Sequence, residues 1–311
     1  MSVDRVLISL AKLRTLDLET PSSAGRPAHL SAASGLARAG RFLYVVADDE
    51  LHLGVFSAES AAPGRLMRVF QGDLPLPPAE RKARKPDLEA ITLLPASAAY
   101  PHGALLALGS GSKAQRCRGV LLGLSSQGET TSGPRECDFS GILGALERPN
   151  IEGAFVSGEE MCLLQRANQR KRENAILRYP LAQFLDAIGT GARLEPLGIH
   201  PIDLGAIDGV VLGLTDGAAL PDGRFVFSAV AEDTADSYLD GRCVGAVLGI
   251  AARKGQVESL YWLDAPHKVE GVEAGVEGGR VRLLLVTDAD DAAIPASLYS
   301  TEIPLAKESA R

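Results

Sequence analysis

The chain has 311 residues, with 32 Lys+Arg against 39 Asp+Glu and a formal net charge of −7. That length can bury a large core without disulfides or metal staples, and the acidic balance excludes nucleic acid as the main partner. Its longest N-terminal apolar run, Val6–Ala11, is too short for a bilayer span or a signal core, so a cytoplasmic protein with no membrane partner is expected.

The first strand-like segment is Asp4-Arg5-Val6-Leu7-Ile8-Ser9-Leu10. After it, one unit recurs five times. Each copy opens on an acidic residue, a small residue and an aliphatic one. A strongly apolar run follows, then polar residues, then a second apolar run. The first copy opens weakly at Ser34-Gly35-Leu36 and continues with Phe42–Asp49 and Leu51–Phe56. The second opens Asp87-Leu88-Glu89-Ala90-Ile91 and continues with Ala104–Gly109 and Gly119–Leu124. The third opens Asn150-Ile151-Glu152-Gly153-Ala154, with Met161–Arg166 and Ala175–Tyr179 behind it. The fourth opens Thr215-Asp216-Gly217-Ala218, followed by Arg224–Ser228 and Val244–Ile250. The fifth opens Val269-Glu270-Gly271-Val272, followed by Arg282–Asp288 and Ser297–Ile303.

The openings at 34, 89, 152, 216 and 270 are spaced by 55, 63, 64 and 54 residues. Short β-rich units at such a period are the pattern of propeller blades with four strands each. The fifth copy runs out of chain before a fourth strand. Val6–Leu10 is therefore expected to complete the last blade and close the ring, which removes an open sheet edge. The predicted fold is a single five-bladed β-propeller over residues 1–311, with a six-bladed ring as the alternative. Only Ile142–Leu146 and Leu181–Ile188 look helical. That is too little for the alternating helices of a two-domain α/β fold. The charged run Glu80–Lys85 reads as a solvated connector.

In a propeller, the start of each inner strand and the end of each second strand meet at one face of the central channel. Glu89, Glu152, Asp216 and Glu270 would converge there. Carboxylates that close raise one another's pKa, and a hard divalent cation, Ca²⁺ or Mg²⁺, would relieve them. Zinc is disfavoured because no His or Cys joins the set. The same acids could instead clasp neighbouring blades by accepting backbone N–H bonds, and both readings stand at this point. The rim of that face carries Asp48 and Asp49, Ser110, Arg116, Arg166, Asn168, Glu232, Asp288 and Asp290. Arg116, Arg166 and Asn168 are the candidate clamp for a small anionic ligand. His267, three residues before Glu270, and Asp288 are the candidate general bases. Neither a GxSxG elbow nor an HExxH helix is present. The four cysteines, Cys117, Cys137, Cys162 and Cys243, form no CxxC pair and read as buried thiols. Two functions follow: a metal-dependent hydrolase of small anionic esters (phosphoester or lactone), or a non-catalytic propeller that binds a ligand or a protein.

The openings at Asp87–Ile91, Asn150–Ala154 and Lys268–Val272 resemble the "D-x-E-G-(I/L)" blade openings of bacterial phytase-like propellers. That group includes the "esterase-like activity of phytase" proteins. The tail Thr287–Asp291, followed by Ser297-Leu298-Tyr299, is similar to their last blade. The resemblance runs from about Ser34 to Ile303 and implies a propeller with a calcium-supported anionic site.

Overall fold

The computed structural model describes residues 6–167, 173–233 and 241–305. Two strands come first, β1 (Leu7–Ile8) and β2 (Ala11–Thr15). Blade one follows as β3 (Ala33–Ala39), β4 (Phe42–Ala47), β5 (His52–Ser57) and β6 (Arg65–Arg68). Helix α1 (Pro78–Arg84) leads to blade two, β7 (Leu88–Leu94), β8 (Ala104–Gly109), β9 (Arg118–Gly123) and β10 (Arg135–Asp138). Blade three is β11 (Ile151–Ser157), β12 (Glu160–Gln165), β13 (Asn174–Pro180) and, after helix α2 (Leu181–Thr190), β14 (Gly198–Ile202). Blade four is β15 (Ala206–Ile207), β16 (Val210–Ala219), β17 (Phe225–Asp233), β18 (Arg242–Ala251) and β19 (Val257–Leu263). Blade five is β20 (Val269–Glu277), β21 (Arg280–Thr287) and β22 (Ser297–Pro304). The fold is a five-bladed propeller, as its repeat requires. The inner strands β3, β7, β11, β16 and β20 contact one another in ring order, and β20 returns to β3.

Hydrophobic patterning explains the ring. Residues Ala104–Leu108 of β8 are all buried, because a blade has neighbours on both faces. Side chains alternate across a strand: Leu105 and Ala107 pack toward blade one, and Leu106 and Leu108 toward blade three. The buried apolar residues form five clusters, one in each gap between blades. The cysteines are free, three of them buried. Burial pushes the Cys137 and Cys162 thiols up to about 12, which removes them as nucleophiles.

The N-terminus closes the ring, with a shift from the expected segment. β2 pairs antiparallel with β22 as the fourth strand of blade five. Leu7–Ile8, inside the expected Val6–Leu10, instead pair parallel with Trp262 and Leu263 on the outer edge of blade four. The segment Glu80–Lys85 is likewise not a solvated connector. Glu80–Arg84 form the body of α1 and Lys85 caps its C-terminus, with Arg81 and Lys85 buried. Arg81 donates to the Asp49 carbonyl at 2.8 Å and to Glu50 Oε1 at 3.1 Å. No helix among the described residues is long and apolar enough to cross a membrane.

Candidate functional site

Every inner strand carries a bulge at its first turn of pairing. The register shifts fall between Ala33 and Gly35, Leu88 and Ala90, Ile151 and Gly153, Leu214 and Asp216, and Val269 and Gly271. The residues left over are Ser34, Glu89, Glu152, Thr215 and Glu270. A bulge re-aims one side chain without ending the strand, so three acids of the ring are presented together at the mouth of the channel. The next position is packed against the adjacent blade. A Cβ on Gly271 would stand 2.8 Å from the Gly35 backbone, and one on Gly35 3.1 Å from the Glu89 carbonyl. The Glu-Gly pairs of the repeat therefore combine a mouth-facing acid with a residue small enough for blade contact.

Asp216 falls at this second position and does not join the ring. It is buried between blades, where its Oδ2 accepts the Val272 N–H of blade five at 2.8 Å. Its place at the mouth is taken by Thr215, whose hydroxyl donates to the Val269 carbonyl at 2.7 Å. Of the four expected cation ligands, Glu89, Glu152 and Glu270 are brought to one mouth, and Asp216 is a blade clasp.

Two half-sites meet there. On the side of blades one and two, Asp87 Oδ1 lies 2.9 Å from Lys85 Nζ, and Oδ2 accepts from Ser110 Oγ at 2.5 Å and Arg116 Nη1 at 2.8 Å. Lys85 also pairs with Asp48. Carboxylate oxygens of Asp48, Asp87 and Glu89 lie within 4.8 Å of one another. Among the described residues no hydrogen bond or ion pair holds Glu89. Asp87 keeps a left-handed backbone, φ 59°, a conformation that costs about 1 kcal/mol or more in a non-glycine residue.

On the side of blades three to five, Arg166 is the hub. Its Nη1 lies 3.1 Å from Glu152 Oε2 and 3.5 Å from Glu270 Oε2, and its Nη2 lies 2.9 Å from Glu232 Oε2. Asn150 Nδ2 donates to Glu152 Oε1 at 2.6 Å. Lys268 pairs with Asp288 at 3.1 Å and with Asp290, and stands 3.7 Å from Glu232 and 3.9 Å from Glu270. Glu270 is 5% exposed, and its Oε1 has no hydrogen-bond partner.

Burial raises these acids. Glu89 is pushed well above the carboxylate range by burial and by Glu152, Asp87 and Asp48 beside it. Burial takes Asp48 to about 7, against the pull of Lys85. Glu270 rises to about 8 by burial, with Arg166 and Lys268 pulling it back. Burial works against the Lys85 ammonium, but Asp48, Asp87 and Glu89 outweigh it and hold the charge in place.

The remaining expected residues divide as follows. Asp288 belongs to the cluster through Lys268. Arg116 is present but committed: beyond Asp87, it donates to Ser112 Oγ at 3.0 Å and to the Lys82 carbonyl at 2.9 Å. His267 is not brought to the acids. Its ring packs on Tyr299 with centroids 4.8 Å apart, and burial lowers its pKa, with Asp264 the opposing charge. Asn168 lies outside the described residues. The sequence reading missed Asp48 and Asp87 as a donor pair with Glu89, Lys85 as the counter-ion of Asp48 and Asp87, and Lys268 as that of Glu232, Glu270, Asp288 and Asp290. A signal was present for two of them: Asp87 and Lys268, like Asn150, stand two residues ahead of a ring acid.

The fold and site define a five-bladed propeller with a buried ionic cluster at one mouth of its channel. The chain belongs to a family of unknown function, DUF6929, whose model matches residues 29–303. The description of that family does not name the phytase-like group that the blade openings resemble. No curated protein matches. Among solved structures, the chain is similar to a hypothetical protein from Leishmania major, at 10% identity and a TM-score of 0.48, covering 97% of this chain and 91% of that one. It is also similar to a luciferin-regenerating enzyme, at 11% identity, a TM-score of 0.44 and coverages of 88% and 91%. An arabinanase from Bacillus subtilis is similar at 13% identity and a TM-score of 0.44, with coverages of 89% and 96%.

Proposed function

We propose that the chain is a metal-dependent hydrolase of small esters, working at the axial cluster. The observation that carries this reading is the set of carboxylate oxygens from Asp48, Asp87 and Glu89 within 4.8 Å of one another. Hard oxygen donors at that spacing suit Ca²⁺ or Mg²⁺, and the lack of His or Cys in the set disfavours zinc. The missing partner of Glu89 supports the fit: an ion there would take a charge that Lys85, shared by Asp48 and Asp87, leaves unmet. A bound divalent ion would polarise the ester oxygen and acidify a water. Glu270, lifted to about 8, keeps its proton at neutral pH and is the acid of this scheme. Its proton leaves with the departing alcohol, and the proton lost by the attacking water replaces it. The committed geometry of Arg116 and Arg166 favours carboxylesters and lactones over phosphoesters, because Arg166 is held by three carboxylates and the one unpartnered nitrogen of Arg116, Nε, is buried.

A second reading, a non-catalytic binding propeller, is favoured by one observation: Arg166 is consumed by three internal carboxylates. The test is a panel of lactones, carboxylesters and phosphomonoesters with Ca²⁺, Mg²⁺ or Mn²⁺. Turnover that chelator abolishes and that falls more than about tenfold in Glu89→Gln is expected. Cation binding without turnover on any ester leaves the binding propeller. The absence of both overturns the metal site.

A further inference from the structure

We infer that the ligand of this cluster enters through a cationic group, a primary ammonium, rather than as an anion. The inference rests on the reading that the axial cluster is the working site. Eight carboxylates are linked there, those of Asp48, Asp87, Glu89, Glu152, Glu232, Glu270, Asp288 and Asp290, against the four cations Lys85, Arg116, Arg166 and Lys268. With Glu270 holding its proton, seven of the eight are charged, so the excess over the four cations is three negative charges, and one divalent ion would leave one.

Commitment of the cations matters more than their number. Lys85 meets two carboxylates, Arg166 three and Lys268 four. Arg116 is held by Asp87, Ser112 and the Lys82 carbonyl. Of the four cations, among the described residues, only Arg116 Nε lacks a partner, and that atom is buried, so an incoming carboxylate or phosphate would have to displace an internal acid. What the cluster lacks is donors. Glu270 Oε1 is buried on the ring without a hydrogen bond, and among the described residues the Glu89 side chain has neither a hydrogen bond nor an ion pair. An ammonium carries three N–H donors and no acceptor, so it answers both deficits. A buried acceptor left unpaired is costly, and charged N–H donors repay it well.

The probe is 1,4-diaminobutane, titrated calorimetrically into the full chain at low ionic strength, with acetate and inorganic phosphate as opposites. Each titration is run with Ca²⁺ and again in chelator. Binding of the diamine is expected, weakened about tenfold or more in Glu270→Gln and in Glu89→Gln, and unchanged in the exposed control Glu59→Gln. Binding of acetate or phosphate with none of the diamine overturns the inference, as does diamine binding indifferent to both variants. The two readings also fail separately. Diamine binding in a protein that turns over no ester removes the hydrolase and leaves the cationic ligand. Metal-dependent turnover of esters that lack an amine, indifferent to added diamine, removes the cationic ligand and leaves the hydrolase.

Discussion

The Arg166 side chain crosses the bare face of Gly213: a Cβ there would stand 2.9 Å from Arg166 Cγ, 3.1 Å from its Nε and 2.7 Å from the Ala167 carbonyl. Glycine at the start of the inner strand of blade four thus opens the path by which one guanidinium reaches Glu152, Glu232 and Glu270. Gly213 has no left-handed backbone to defend. By backbone entropy alone, Gly213→Ala would stabilise the protein by about 0.4–1 kcal/mol. The contact reverses the sign. Displacing Arg166 strands three buried carboxylates, and Gly213→Ala should cost about 2–5 kcal/mol in urea denaturation. In Arg166→Met the same glycine substitution should cost far less. Equal costs in both backgrounds would show that Gly213 does not position Arg166.

Asp216 gives a pH signature with a definite sign. Burial pushes its carboxyl well above the ordinary range, against hydrogen bonds from the Val272 and Gly217 N–H groups, with Glu273 and Glu270 raising it further. Its Oδ1 is buried without a partner, in the space that a Cβ on Gly153 would need. A carboxyl raised on folding contributes stability that is fully present below its unfolded pKa, about 3.9, and is lost as pH rises toward the folded value. Asp216→Asn keeps the shape and removes the titration. Between pH 5 and pH 8 the wild type should lose more stability than Asp216→Asn does. Parallel stability profiles would mean that Asp216 is charged in the folded state.

The blades were legible because both faces of each are apolar, which writes runs such as Ala104–Leu108 into the chain. The position of a bulge is not written that way. Acid-Gly at Asp216-Gly217 matches Glu270-Gly271 in type, yet pairing leaves Thr215 unmatched, one residue away, and a slip of one moves a side chain to the opposite face. Strand β2 was hidden for another reason. It is an outermost strand, largely exposed, so its hydropathy carries no signal beside the greasier Val6–Leu10. Lys85 looked solvated within a run of charges. Its burial depends on Asp48, 37 residues earlier in the chain, and such a pairing has no local trace.

Ring closure by β2 rather than β1 separates two truncations. β2 does more than pair with β22. Arg14 donates from Nη1 to the Ser60 carbonyl at 2.8 Å and from Nη2 to the Ala62 carbonyl at 2.5 Å, and its guanidinium lies 5.1 Å from the centre of the Phe56 ring. The last strand of blade five is thereby fastened to blade one, across the seam where the chain's two ends meet. Removing residues 1–8 takes away the two-residue edge on blade four, including the partly buried Ile8. It should cost about 1–2 kcal/mol and lower the melting temperature by a few degrees. Removing residues 1–15 strips β22 of its partner and leaves Ser297–Pro304 as an open edge, which invites pairing between copies. The shorter truncation should elute on size exclusion as the full chain does, and the longer one should run larger or fail to fold. Arg14→Met, with β2 intact, should fall between them, keeping the elution of the full chain while losing the clamp on blade one. A 16–311 chain that elutes and melts with the full-length protein would show that the ring does not need β2.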